Sequence, residues 1–123
     1  MARFGGMSPS PSQDCLFCRI VSGAIPAQVV AESEHSLAFR DIEPAAPTHV
    51  LVVPRRHVAD VAGLATASAD ELADAVTLAA QVASSEGLPG YRLVANTGEA
   101  AQQSVFHAHL HLIGGRTLSW PPG

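Results

Sequence analysis

The amino-acid sequence predicts an α+β domain, and three observations carry that expectation. Several short runs rich in β-branched and apolar residues are closed by proline, glycine or serine clusters. One long stretch repeats its apolar residues at helical spacing. The two kinds of segment are segregated along the chain, and no internal repeat interrupts them.

Residues 1–13 run through Gly, Ser and Pro and are expected to form a flexible N-terminal tail, with residues 14–123 as the domain. Asp14 is expected to cap a short helix over residues 15–21 that Gly23 and Pro26 stop. Residues 29–32 and 36–41 flank the turn-prone Ser33-Glu34 and read as a hairpin. Pro44 and Pro47 break the next stretch. His49-Val50-Leu51-Val52-Val53, closed by Pro54, is the third strand, and its nearly continuous β-branched and leucine content predicts a central position. Ser68 followed by Glu71 makes a capping box, and Leu72, Ala73, Val76, Ala79, Ala80 and Ala83 recur at helical spacing up to Gly87. The alanines suit close packing on a sheet. Residues 91–95 give a fourth strand, 96–103 a polar loop, and 105–113 a fifth strand ended by Gly114-Gly115.

A length of 123 residues suits one domain with one core. Hydrophobic residues at 47% and charged ones at 15% fit a compact soluble chain. No apolar run approaches a membrane span, so no membrane partner is expected. All seven basic residues are arginines and the formal net charge is -4, which argues against a nucleic-acid partner while leaving room for a small anionic ligand. The start of the chain lacks the basic-then-apolar order of a secretory signal, which predicts a cytoplasmic location and no structural disulfide.

Chemistry concentrates in His107-Ala108-His109-Leu110-His111. An extended strand sends alternate side chains to one face, so the three imidazoles should line up while Phe106, Ala108, Leu110 and Leu112 form an apolar row behind them. Such a row serves a metal site or a cluster of nucleophile and acid/base groups. Cys15-Leu16-Phe17-Cys18 has a spacing that serves a zinc half-site, a redox pair or two helix-borne thiols alike. No βαβ pattern precedes it to favour a thioredoxin-like role.

The block Gln103-Ser104-Val105-Phe106-His107-Ala108-His109-Leu110-His111-Leu112-Ile113 resembles the signature of the histidine triad (HIT) family. Gly114-Gly115-Arg116 and the terminal Trp120-Pro121-Pro122-Gly123 resemble its Hint-type, nucleotide-binding branch, and the likeness runs from about Asp14 to the end of the chain. The resemblance implies a HIT-like fold, a five-stranded antiparallel sheet with a long helix and a short helix, dimerising into a ten-stranded sheet. It also implies a hydrolase that takes a purine mononucleotide and cleaves AMP-linked phosphoramidates or related adenylates through a covalent nucleotidyl-histidine. By position, His109 matches the nucleophile, His111 and Ser104 match phosphate contacts, and His107 and His49 match supporting histidines. Asp41 and Ile42 match the ribose-binding turn, Asn96 another nucleotide contact, and Gln103 a phosphate contact through both backbone and side chain. No metal is required by this chemistry. Some bacterial relatives nevertheless hold structural zinc through positions matching Cys15, Cys18, His49 and His107. His35 and His57 match no role and are expected at the surface. Where the family usually has glycine this chain has Gln102, at a point that calls for positive φ or close backbone approach. Trp120 matches a tail residue that approaches the partner's active site and would influence the leaving group. The alternatives are a dinucleoside polyphosphate hydrolase, and a zinc-containing nucleotide-binding or scaffold protein with residual catalysis. A uridylyltransferase would carry Gln where this chain has His111.

Overall fold

The run Thr48–Pro54 is buried at every position, as a strand of mainly β-branched residues and leucine is when it has neighbours on both edges and both faces. The computed structural model, which describes residues 14–123, builds the rest of the domain around it. The expected tail over residues 1–13 lies outside the described residues. In chain order the elements are α1 (Leu16–Val21), β1 (Val29–Glu32), β2 (Ser36–Arg40), β3 (Thr48–Pro54), α2 (Val61–Ala67), α3 (Ala69–Ser85), β4 (Tyr91–Val94), a 3-10 turn (Glu99–Ala101) and β5 (Leu110–Gly114). All strand pairs are antiparallel in the order β1-β2-β3-β5-β4. This is the expected α+β architecture, with β3 in the middle.

Each face of the sheet has its own core. Ala38, Val50, Val52, Leu110 and Leu112 meet Ala75, Leu78, Ala79, Val82 and Ala83 of α3. Ala79 and Ala83 are 0% and 2% exposed, so the small side chains do let the helix sit close to the strands. Fully burying a leucine such as Leu112 contributes about 2 kcal/mol. On the opposite face Leu37, Phe39, Leu51 and Val53 pack against Cys15, Phe17 and Cys18 at the start of α1. Register fixes which side chains share that second face: Phe39 pairs with Leu51, and Leu51 with His111. His111 therefore projects toward α1 and away from the long helix.

Apart from shifts of one residue at strand ends, three features differ from the sequence expectation. α2 was not anticipated; it is seven residues long, begins where Asp60 accepts from the Gly63 amide, and carries only Leu64 into the core. Its single buried residue leaves too little periodicity to read. The α1 N-cap is Cys15, whose sulfur accepts from the Cys18 amide, and not Asp14. β5 begins at Leu110, five residues later than expected, because the preceding segment pairs with the loop after β3: the Ala108 amide donates to Val58 O at 2.7 Å. Phe106, expected in the apolar row, is consequently 48% exposed. The capping box holds in part. Ser68 Oγ accepts from the Glu71 amide, but the Glu71 carboxylate turns outward to Arg56. Gly115 ends β5 at φ +92°, where a Cβ would lie 2.9 Å from Pro47, so glycine is required for both conformation and space.

Candidate functional site

The segment before β5, the strand itself, β3, the loop after β3 and α1 bring five imidazoles into a row. Ring centroids are 5.1 Å apart for His57 and His107, 5.0 Å for His109 and His111, and 5.2 Å for His49 and His111. Phe17 fills the remaining step, meeting His109 edge-on at 5.0 Å and His107 at 6.0 Å. The alternation predicted from the sequence survives, although only His111 lies within the strand. His107 is fully buried and His109 is 8% exposed.

Carbonyl and amide partners fix where the protons sit on these rings. His109 Nδ1 lies 2.7 Å from the carbonyl of His107, which can only accept, so Nδ1 carries the proton and Nε2 keeps its lone pair. His107 Nε2 donates to Pro54 O at 2.8 Å, leaving its Nδ1 as the lone-pair nitrogen. The Ala45 amide donates to His49 Nδ1 at 2.9 Å, so His49 Nε2 holds the proton and gives it to His111 Nδ1, also at 2.9 Å. His111 is then left with Nε2–H free to donate. His49 and His111 meet because they are diagonal neighbours across the ladder, His49 opposite Ile113 and His111 opposite Leu51. Burial pushes His107 and His109 below the ordinary imidazole value, partly opposed by the carbonyl each one contacts. Burial, with His109 and His49 alongside, pulls His111 down to about 4. All three are neutral at pH 7.

At one end of the row Cys15 Sγ, Cys18 Sγ, His57 Nδ1 and His107 Nδ1 lie within 4.8 Å of one another. His107 Nδ1 is 3.4 Å and 3.5 Å from the two sulfurs, and His57 Nδ1 is 3.2 Å from Cys18 Sγ and 3.3 Å from His107 Nδ1. Tetrahedral zinc, with Zn–S of about 2.3 Å and Zn–N of about 2.0–2.1 Å, spaces its ligands about 3.3–3.8 Å apart. These four separations, 3.2–3.5 Å, lie close to that range, and His107 presents the required lone pair. Burial and the neighbouring Cys15 push the Cys18 thiol up to about 11, so without a cation it stays protonated. The ligand set expected from the sequence is corrected here: His57 stands where His49 was placed. His49 is the second residue of β3 and the Cys pair lies by the strand's far end, so five residues of strand, about 16 Å, separate them. His57 was read as a surface residue, and it is exposed, but its Nδ1 turns in to the cysteines. No local pattern marks it, since its nearest cysteine is 39 residues away.

At the other end stands Asp41. Its Oδ2 is 3.4 Å from His49 Nε2, and its Oδ1 accepts from the Glu43 amide at 2.8 Å, holding the turn that carries Ile42. Ile42 is 95% exposed. Both residues line a cavity of about 460 Å³ whose other walls include Phe17, Ile20, Ile25, Phe39 and Leu51. Sequence reasoning missed these apolar walls, because each also reads as ordinary core. A larger cleft of about 800 Å³, between residues 86–92 and 115–118, is lined by none of the histidines.

The loop residues separate in their roles. Gln103, expected to reach phosphate with its side chain, is 5% exposed and turned inward. Its Oε1 accepts from the Gly98 amide, and its Nε2 donates to Ala59 O and Val105 O, so only its backbone is available to a ligand. Asn96 donates through Nδ2 to Ala101 O and closes the same loop. Ser104 is exposed and lines a separate cavity of about 350 Å³ with Asp14, Leu16, Phe106 and two members of the cysteine–histidine cluster, Cys15 and His57. Gln102 has φ 67°, so this loop keeps the left-handed turn without the glycine that would adopt it freely. Arg92 donates to Ser119 O and lies 5.6 Å over the Trp120 ring, tying the C-terminal tail to β4. No described helix is long and apolar enough to cross a membrane.

Comparison with known proteins agrees with this fold. The family model described as the HIT domain matches residues 22–118. A HIT-like protein of Synechococcus elongatus is 46% identical over 91% of this chain and 99% of its own length. A 14 kDa zinc-binding protein of Zea mays is 48% identical over 88% of this chain and 87% of its own. Among solved structures, a HIT family hydrolase from Legionella pneumophila superposes with a TM-score of 0.85 at 48% identity, covering 89% of this chain and all of that one.

Proposed function

The chain belongs to the HIT domain family, and on that premise we propose that it is a nucleotide-binding hydrolase which cleaves AMP-linked phosphoramidates or related adenylates through a nucleotidyl-His109 intermediate. The observation that carries this reading is the proton placement on His109. With Nδ1–H held by the His107 carbonyl, the Nε2 lone pair is fixed in direction and belongs to a neutral ring at pH 7.

The cavity beside the row suits a purine nucleoside: Phe17, Ile20, Phe39 and Leu51 offer apolar faces to a base, while Asp41 offers a carboxylate to the two ribose hydroxyls. Ile42 covers the sugar from the rim. His109 Nε2 then attacks phosphorus. The bond from phosphorus to the amine breaks, its electron pair leaves on the amine nitrogen, and that nitrogen takes a proton from solvent. Charge gained by the nonbridging oxygens is met by Nε2–H of His111, which His49 holds in the donating tautomer; Ser104 and the Gln103 backbone join it on their match to the family's phosphate contacts alone. Positive charge on the modified His109 is stabilised by its Nδ1–H···O=C bond. Water next attacks phosphorus, the bond to Nε2 breaks, the water's proton passes to solvent, and AMP and free His109 result. Asn96 supports the loop that presents Gln103 and Ser104.

Zinc is the metal that Cys15, Cys18, His57 and His107 would hold, in agreement with the printed name of the maize relative. Four protein ligands close the coordination sphere, so the metal would be structural. The same cluster favours a second reading, a zinc-containing nucleotide-binding protein with residual catalysis. A homodimer with a continuous ten-stranded sheet and a cytoplasmic location complete the proposal. Incubation of the zinc-loaded protein with adenosine 5′-phosphoramidate and, separately, with diadenosine polyphosphate tests it. AMP release from the first and little from the second is expected; no release from either favours the binding protein, and preference for the second favours the dinucleoside hydrolase.

A further inference from the structure

The ligating cluster and the imidazole row are one connected object. His107 turns Nδ1 to the cysteines and His57, anchors Nε2–H on Pro54 O, and with its own carbonyl receives Nδ1–H of His109. Phe17 lies between Cys15 and Cys18 on α1, packs edge-on against His109, and walls the 460 Å³ cavity. The loop carrying His57 supplies a third tie. Val58 O accepts from Ala108, the residue between His107 and His109, and Ala59 O accepts from Gln103 Nε2, whose other end braces Gly98.

α1 has six residues, too few to persist as an isolated helix, and the loop at 57–59 has no strand partner. Besides the core under α1 and the two carbonyl ties of the loop, the side chains of both segments meet at Cys15, Cys18, His57 and His107. We propose that Phe17, His57 and His107 are positioning residues through which ligation of one metal ion at that cluster sets the nucleotide affinity and the aim of His109 Nε2. The inference rests on the nucleotide-hydrolase reading and deepens it, giving the metal a role in the reaction that needs no contact with substrate. Linkage makes it reciprocal: bound nucleotide must tighten the metal by the same factor.

The test uses His57, which is exposed, so that removing its ring disturbs little packing. Zinc content, AMP affinity by calorimetry and the exchange rate of the His109 Nδ1–H proton by NMR are measured for the full chain, for His57→Ala and for His57→Cys, which restores a fourth ligand. Expected are one zinc per chain in the wild type and in His57→Cys, none in His57→Ala, AMP affinity weaker by about fivefold or more in His57→Ala, and faster exchange of the His109 proton in that variant alone. Zinc-free His57→Ala with AMP affinity within about twofold of wild type and unchanged proton exchange overturns the proposal, as does a wild type that takes up no zinc. Should no form bind AMP, the nucleotide reading fails, and the His109 proton still decides the coupling. Should His57→Ala not fold, Phe17→Leu in the zinc-loaded chain replaces it: faster His109 exchange at one bound zinc is expected, and an unchanged rate overturns the inference.

Discussion

Lowering the pH from 7 to 5 should destabilise this domain through His111 in particular. Its Nδ1 already receives the His49 Nε2 proton, and His49 cannot turn that proton elsewhere because its Nδ1 is held by the Ala45 amide. A second proton on His111 must therefore break that contact or sit unsolvated in a half-buried site. Burial, with the neighbouring His109 and His49 rings, holds the folded-state value at about 4 against an ordinary value of 6.5. Between those two values the unfolded chain binds more protons than the folded one, so stability falls as pH falls. It starts to be lost below 6.5 and the loss is complete below 4. Integrated from pH 7 to pH 5 the loss is about 2 kcal/mol. Glu71, Asp74 and Glu86, whose carboxyls are held low, lose their contributions at lower pH than this. Urea unfolding of the wild type and of His111→Gln at both pH values isolates the effect, since His107 and His109 titrate in both proteins. The wild type should lose about 2 kcal/mol more than the variant. Equal losses would refute the burial of a neutral His111 as the source of this pH dependence.

Three further outcomes are expected. Zinc should be retained by His49→Ala and lost from Cys18→Ala, because His49 belongs to the far end of β3; metal analysis decides this, and loss of zinc from His49→Ala would restore the ligand set first read from the sequence. Chelation should also lower the melting temperature, because metal binding to a site formed only on folding adds to folding free energy. Deleting residues 118–123 removes Trp120 and the segment that Arg92 tethers; the ratio of kcat/KM values among phosphoramidates with different amines should shift while adenylylation of His109 persists. Equal loss for every amine would assign the tail to support of the fold.

The parts of this molecule legible in the sequence are those set by local pattern. Runs of valine and leucine located β3, the capping pair Ser68 and Glu71 located the start of α3, and alternation put three imidazoles on one side. What escaped depends on contacts between distant residues. His57 becomes a ligand only because the loop after β3 folds back to Cys18, and Gln103 is taken inward by carbonyls 44 and two residues away. Phe17 and Leu51 belong at once to a core and to a cavity wall, a double duty that hydropathy alone does not distinguish. Gln102 is the instructive case: glycine's absence raised the question of an altered loop, and the backbone keeps its positive φ regardless.

The central claim is that His109 Nε2 forms a bond to phosphorus. Wild-type protein and His109→Ala, each mixed with an adenosine phosphoramidate, quenched in base within one turnover and digested, should differ at one peptide by mass spectrometry. The account predicts one adenylyl group on His109 of the wild type, none on the variant, and a variant that still binds AMP but no longer turns over. Near-normal hydrolysis by His109→Ala, or an adenylyl group on another residue of the wild type, would contradict it.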